Sequence, residues 1–260
     1  MPTEQPDCAA VTWLLDLDGV VWLADEALPG AADAVARLRA AGERVLFVTN
    51  NSAFRVGDQE GKLARFGISA EGDVLTSAAA AARLLEPGHR ALVLGGAGVV
   101  EALEGGGVEV VDGLPADAVV VGFTRAFDYE RLRVASAVAR AANRLIGTND
   151  DPTYPTPDGP IPGGGSLLAA VAIAAGVRPE VAGKPHPPMV ALARAAAGDG
   201  PLTVVGDRPS TDGAFARALG ARFALVLSGV TGADDLPVEP GPDVVAADLA
   251  TLVTIELAQR

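Results

Sequence analysis

Cysteine is almost missing from this chain: Cys8 is the one thiol among 260 residues. A lone thiol excludes an intrachain disulfide and a cysteine-based zinc cluster. Histidine is nearly as scarce, with only His89 and His186, which argues against a His-rich metal centre. No run of basic residues occurs, and 20 Lys and Arg face 33 Asp and Glu for a formal charge of −13. A nucleic-acid groove or an anionic membrane surface needs clustered cations, so neither is an expected partner. The longest apolar run, Leu167–Val177, is too short to cross a bilayer. The first ten residues offer neither a cationic start nor an apolar signal core, and a cytoplasmic location is expected. With thiols and imidazoles so few, a divalent metal would have to sit on carboxylates, which favours Mg²⁺.

What the chain does contain is ordered. Hydrophobic residues make up 49% and charged residues 20%, which excludes wholesale disorder. The length suits one large or two modest domains. Short apolar runs alternate with Ala-rich helical runs. Strands are expected at Thr12–Asp16, Arg44–Thr49, Ala91–Leu94, Val108–Val111, Ala118–Gly122, Arg144–Gly147, Leu202–Gly206 and Arg222–Leu227. Helices are expected at Ala31–Ala41, Gly57–Phe66, Ser77–Leu85, Gly98–Glu104, Tyr129–Ala142, Ser166–Ala175, Pro187–Ala197 and Thr211–Leu219. This βαβα order predicts an α/β fold with parallel sheets, and the nearly all-apolar strands predict sheets covered on both faces. Asn149–Ser166 stands apart as a long Pro- and Gly-rich stretch, read as a functional or hinge loop. One domain junction is placed near its end and another near Ser77–Leu85. Residues 1–80 and 180–260 would then form a core, with 81–179 as an inserted α/β domain.

Four polar motifs follow apolar runs. In Leu14-Leu15-Asp16-Leu17-Asp18-Gly19, the two carboxylates sit two apart at the end of a strand. Open parallel sheets bind ligands at that edge. The closing Glu and the acidic spacing of a calcium EF-hand are missing. Thr49-Asn50-Asn51-Ser52 gathers hydroxyls and amides before a helix; such a turn caps a helix or offers donors to a phosphate. Gly183-Lys184-Pro185-His186-Pro187 holds one of two lysines, the other being Lys62, in a chain that otherwise uses arginine. A lysine is a compact, strongly hydrated charge, and His186 beside it is read as structural. Gly206-Asp207-Arg208-Pro209-Ser210-Thr211-Asp212 ends another strand in acids. Asp207 is placed to complete a metal site begun by Asp16, and Asp212 to cap the next helix or support the site. A dinucleotide loop at Gly95-Gly96-Ala97-Gly98 is set aside, because Glu101 takes the position of the final glycine.

Taken in order, these motifs resemble the haloacid dehalogenase superfamily of aspartate-nucleophile phosphatases. Asp16 and Asp18 look like its first motif, Thr49 its second, Lys184 its third, and Asp207 with Asp212 its fourth. The similarity is closer to the large-cap (type IIA) subgroup of 4-nitrophenyl-, phosphoglycolate-, glycerol-phosphate and nucleotide phosphatases. It extends through Asp18–Trp22, Val48–Ser52, Gly147–Pro152 and Leu227–Thr231. Pro209 and Gly213 depart from that pattern, which usually has an aliphatic residue and Ile there. The resemblance implies a Rossmann-like parallel-sheet core with a large inserted α/β cap, and Mg²⁺-dependent hydrolysis of small phosphate monoesters. Asp16 would be nucleophile and metal ligand, Asp18 the acid/base with its backbone carbonyl on the metal, and Asp207 a ligand. Thr49 and Lys184 would hold the transferring oxygens. Asn50 and Asn51 would orient the second motif, with Asn51 near substrate, and Tyr154 would contact substrate from the cap. The expected partner is a small phosphorylated metabolite, and the resemblance admits a homodimer through the cap. A phosphomutase or phosphotransferase would use the same nucleophile, and a non-catalytic binding protein the same fold.

Overall fold

The computed structural model describes residues 10–154, 156 and 159–259. Cys8 lies outside them. The chain divides into two compact units. The first comprises the described parts of 1–47, 66–68 and 193–260, and the second 48–65 and 69–192.

In the first unit the strands stand in the order Val244–Ala246, Arg222–Val226, Leu202–Gly206, Thr12–Leu15, Arg44–Thr49. Adjacent strands are parallel. The last passes into the second unit after Phe47. Thr12–Leu15 sits between two partners, and all four of its residues are buried. That double-sided burial is why the run is apolar without alternation. Phe47, Phe215 and Phe223 fill the same core. The register pairs Leu15 with Val205, so the residues that follow these strands, Asp16 and Asp207, emerge side by side.

Element ends shift by up to three residues from expectation, and one whole segment and several short elements, the hairpin Trp22–Leu23 with Glu26–Ala27 and the strands Val74–Thr76 and Glu180–Val181, were not anticipated. Val244–Ala246 and the helix Leu249–Ala258 extend the unit beyond Arg222–Val226. Asp248 caps that helix by accepting the Thr251 N–H at 2.7 Å. Thr254 Oγ1 accepts from Arg37 of the helix Ala31–Ala40 at 2.9 Å, tying the two helices together. The helix expected at Thr211–Leu219 begins at Ala214, because Pro209–Gly213 forms a wider π-type turn first. Gly213 is required there: a Cβ would lie 2.8 Å from the Phe223 ring and 2.9 Å from Pro240. The aliphatic side chain usual at this position has no room.

Asp243 supplies a pH-dependent tie in this unit. Its carboxylate accepts the Phe223 N–H at 2.8 Å and pairs with Arg217 at 3.2 Å. The backbone hydrogen bond, followed by the Arg217 charge, holds the carboxyl below the usual aspartate range. A depressed folded-state value means the stabilisation is present above the unfolded value and lost as pH falls through the folded one. Asp243→Asn should therefore lower the melting temperature at neutral pH and flatten its fall below about pH 4. Thermal melts of both proteins from pH 7 to 2 check this; parallel curves would contradict it.

The second unit has its own parallel sheet, ordered Glu180–Val181, Leu145–Gly147, Ala118–Val121, Arg90–Leu94, Glu109–Val111. Helices Tyr129–Ala142 and Gly164–Ala175 bury Ala135, Val138, Leu168 and Val171 with Leu92, Val119 and Leu145 of the sheet. The Asn149–Ser166 stretch is not loop throughout. Thr153–Tyr154 pairs antiparallel with Ile161–Pro162, and the helix starts at Gly164. Backbone hydrogen bonds from Gly163 to Pro152 and from Gly165 to Asp151 fold the stretch back on itself. Those contacts are invisible to composition, which reported only glycine and proline. Among the described residues no helix is long and apolar enough to cross a membrane.

Candidate active site

Among the described residues, each unit gathers several of the polar residues singled out by the sequence. In the first, parallel pairing does the positioning: the Asp16 N–H donates to the Val205 carbonyl at 2.9 Å, one residue past the last paired position. Asp16, Asp207 and Asp212 each present a carboxylate oxygen, all within 4.8 Å of one another. Asp207 and Asp212 are buried and Asp16 half-buried. Asp207 is held by the Val230 N–H, which donates to its Oδ2 at 2.6 Å. Asp212 is turned back toward the strand end and accepts the Arg208 N–H at 3.2 Å. The loops leave no spare volume around Asp207: an added Cβ on Gly19 would fall 2.4 Å from its Oδ2, and one on Gly229 1.9 Å.

Three carboxylates this close repel one another unless a cation or proton lies among them. An all-oxygen, acidic donor set suits a hard divalent ion, which commonly keeps several waters and needs few protein ligands. The residues present therefore fit a divalent metal. Asp212 joins this trio directly, whereas the sequence offered it as a helix cap or a support. The Asp18 carboxylate lies outside the trio, and its Oδ1 accepts the indole N–H of Trp22 at 3.0 Å. Gly19 has φ +82°, the left-handed conformation that the turn after Asp18 demands. Its carbonyl accepts the Ser228 hydroxyl at 2.7 Å.

The cluster of the second unit is built around one amide. Asn50 uses its side chain on both sides of Lys184: Oδ1 accepts the Lys184 N–H at 2.8 Å, and Nδ2 donates to the Lys184 carbonyl at 3.1 Å. Nδ2 also donates to Asp151 Oδ2 at 3.0 Å. The ring closes through Asn149, whose Oδ1 accepts the Asp151 N–H at 3.2 Å and whose Nδ2 donates to the Asn50 carbonyl at 2.7 Å. Ser77 Oγ donates to that same carbonyl. Lys184 is buried, and a buried lysine backbone gripped at both polar groups has its side-chain origin fixed. In the same unit, Thr49 Oγ1 accepts the Asn51 N–H at 3.0 Å, and Asn51 Oδ1 accepts the Ala53 N–H at 3.0 Å. Tyr154 stacks on Phe123 with centroids 5.0 Å apart and 20° between planes. His186 pairs with Asp150 at 2.9 Å.

Among the residues singled out in advance, the fold thus brings Asp16, Asp207 and Asp212 together in the first unit. In the second it brings Asn50 to Lys184 and Thr49 to Asn51. It adds Trp22, Asn149, Asp151 and Phe123, to which sequence reasoning gave no role. Asn149 and Asp151 carried the signal used for the other motifs, polar residues directly after an apolar strand. Their segment, Gly147–Pro152, even carries an acid pair and a proline, but the Pro- and Gly-rich stretch that follows led it to be read as a loop or hinge.

Comparison with known proteins places the chain in a family. A family model described as haloacid dehalogenase-like hydrolase matches residues 13–109, and one described as HAD-hydrolase-like matches 181–252. The D-glycerol 3-phosphate phosphatase of Mycobacterium tuberculosis is 36% identical over 259 residues, spanning 96% of this chain and 71% of that protein. Human chronophin is 36% identical over 241 residues, 84% of this chain and 81% of its own. Among solved structures, the p-nitrophenyl phosphatase of Archaeoglobus fulgidus superposes with a TM-score of 0.89 at 31% identity, covering 95% of this chain and 99% of its own. The glycerol phosphate phosphatase of M. tuberculosis in complex with magnesium superposes with a TM-score of 0.86 at 36% identity, covering 94% and 77%. From the order of its motifs, its two parallel-sheet units and these relatives, the chain belongs to the haloacid dehalogenase-like hydrolase family.

Proposed function

We propose that the chain is a Mg²⁺-dependent phosphatase that hydrolyses small phosphate monoesters through an aspartyl-phosphate on Asp16. The observation that carries this reading is the convergence of the Asp16, Asp207 and Asp212 carboxylates within 4.8 Å. Asp16, Asp207 and the Asp18 backbone carbonyl would hold the metal, with Asp212 supporting them. When bound, the cation neutralises carboxylate charge that would otherwise repel a phosphate dianion, and it polarises the phosphoryl group.

The chain's own residues do the rest. The Asp16 carboxylate attacks phosphorus, an O–P bond forms, and the bond to the leaving oxygen breaks. Asp18 gives its proton to that oxygen, so the product leaves as an alcohol. Asp18, now ionised, takes a proton from the water that attacks the aspartyl-phosphate, and phosphate departs with Asp16 restored. Thr49 and Lys184 hold the transferring oxygens, where negative charge is greatest in the transition state. The Asn50 clamp on Lys184 supports that role, and Asn51 lies near substrate.

Residues 1–80 and 180–260 form the catalytic core in this reading, and 81–179 the inserted domain. The separate five-stranded sheet, contained within 90–181, supports that division. Specificity then rests on the inserted domain, with Tyr154 among its contacts. The relatives' names, which include glycerol phosphate, acid sugar and p-nitrophenyl phosphatases, support a small phosphorylated metabolite as substrate. The acidic charge balance supports an enzyme without nucleic-acid or anionic-membrane partners; a cytoplasmic location and a homodimer through the inserted domain complete the reading.

The test is a panel of glycerol 3-phosphate, sugar phosphates, nucleoside monophosphates and p-nitrophenyl phosphate, assayed for released phosphate with Mg²⁺ and with EDTA. Turnover that EDTA abolishes and Mg²⁺ restores is expected. No turnover on any compound, or turnover indifferent to EDTA, would overturn the reading.

A further inference from the structure

Trp22 is buried, with 2% of its surface exposed, and its ring packs on Phe66 with centroids 6.1 Å apart at 57°. Packing alone asks only for an aromatic ring. The indole adds an N–H, which a buried site must satisfy, and here it donates to Asp18 Oδ1 at 3.0 Å. The contact is built by the local backbone. The Val20, Val21 and Trp22 N–H groups all turn onto the Leu17 carbonyl, at 3.3, 2.9 and 3.1 Å. The Gly19 N–H returns to the Trp22 carbonyl at 2.7 Å. Asp18 and Trp22 form an isolated β-bridge. The segment is thus a closed turn whose two ends are joined three times, twice through the Trp22 backbone and once through the indole. Trp22 then enters the short hairpin Trp22–Leu23 with Glu26–Ala27, which holds its position from the other side.

We propose that Trp22 is the positioning residue for Asp18: its indole N–H fixes the orientation of the carboxyl group that transfers the leaving-group proton. This rests on the phosphatase reading above. A carboxyl group joined to Cα through two rotatable bonds samples several orientations. A proton relay needs the one facing the leaving oxygen, and an error of about 1 Å in such a group costs on the order of 10²-fold in rate. Loosening Asp18 should matter most where the leaving group most needs a proton. Phenolate leaves poorly without one. 4-Nitrophenolate, a much weaker base, leaves with little help.

The experiment compares the wild type with Trp22→Phe, and with a chain carrying 3-benzothienylalanine at position 22, which replaces the indole N–H by sulfur at nearly the same shape. Both are assayed with Mg²⁺ on phenyl phosphate and 4-nitrophenyl phosphate. The expected result is a loss in kcat/KM at least about tenfold larger for phenyl than for 4-nitrophenyl phosphate. For 4-nitrophenyl phosphate, kcat should fall more than kcat/KM, with a burst of nitrophenol, because Asp18 also serves the second step. Equal losses on both substrates, or no loss in either variant, would overturn the role of Trp22, since damaged packing is blind to the leaving group. A Phe variant that fails to fold leaves the decision to the sulfur isostere, which keeps the packing. A wild type inactive on both substrates would overturn the phosphatase reading and this inference with it.

Discussion

Asp16→Asn should lower kcat by about 10⁴-fold or more, with the fold intact. Removing the nucleophile of an enzyme with covalent catalysis costs losses of this order or larger, and a neutral amide oxygen does not replace a carboxylate in attacking phosphorus. The fold should survive because Asp16 is anchored through its backbone: its N–H donates to the Val205 carbonyl, a bond the substitution leaves alone. The side chain is half-buried and isosteric with Asn. Its charge sits within 4.8 Å of two others, so its loss relieves repulsion in metal-free protein. The melting temperature without Mg²⁺ should accordingly hold or rise, while the increase on adding Mg²⁺ should shrink. Circular dichroism melts and phosphate release measure both. Substantial residual turnover would remove Asp16 from the nucleophile's role.

Gly229→Ala should have the next largest effect, although Gly229 carries no chemistry. A Cβ there would fall 1.9 Å from Asp207 Oδ2, 2.5 Å from Cγ and 2.7 Å from Cβ. Flexibility at one terminal atom cannot absorb this, because the whole short side chain is in the way. Nor can the loop withdraw freely, since the next residue, Val230, donates its N–H to that carboxylate. Asp207 would have to leave its place beside Asp16 and Asp212. Disturbing a group that orients a metal ligand typically weakens affinity about 10–100-fold, and displacing the ligand itself should reach at least the upper end. The Mg²⁺ concentration for half-maximal activity should rise by that factor, with partial recovery at high Mg²⁺. Gly232→Ala, whose Cβ would meet nothing nearer than 3.6 Å, is the control. An unchanged Mg²⁺ requirement in Gly229→Ala would show that the loop yields.

The contrast between these two residues marks the reach of sequence reasoning. Asp16 is conspicuous, an acid ending an apolar run, and the same signal found Asp207. Gly229 was recognisable only as part of a segment similar to the family's, because its importance is a distance to a side chain 22 positions earlier. Asn50 was expected to orient the loop of the second motif. That it grips Lys184, 134 residues away, at both backbone groups could not be read from either segment alone. The closing strand and helix, Val244–Ala246 and Leu249–Ala258, went unread because the strand is short and the helix is apolar nearly all round, leaving no clear period.

The sequence by itself determined the alternation of strands and helices, the two parallel sheets and the identity of the acids at the strand ends. It could do so because burial on both faces and hydrogen-bonded strand termini are local demands, written in consecutive residues. Only the tertiary structure decided that Asp212 belongs with Asp16 and Asp207, that Trp22 holds Asp18, and that Asn149 and Asp151 complete the ring around Asn50. Those choices depend on hydrogen-bond directions and on volumes a fraction of a side chain wide. Such quantities are fixed only after distant segments have packed.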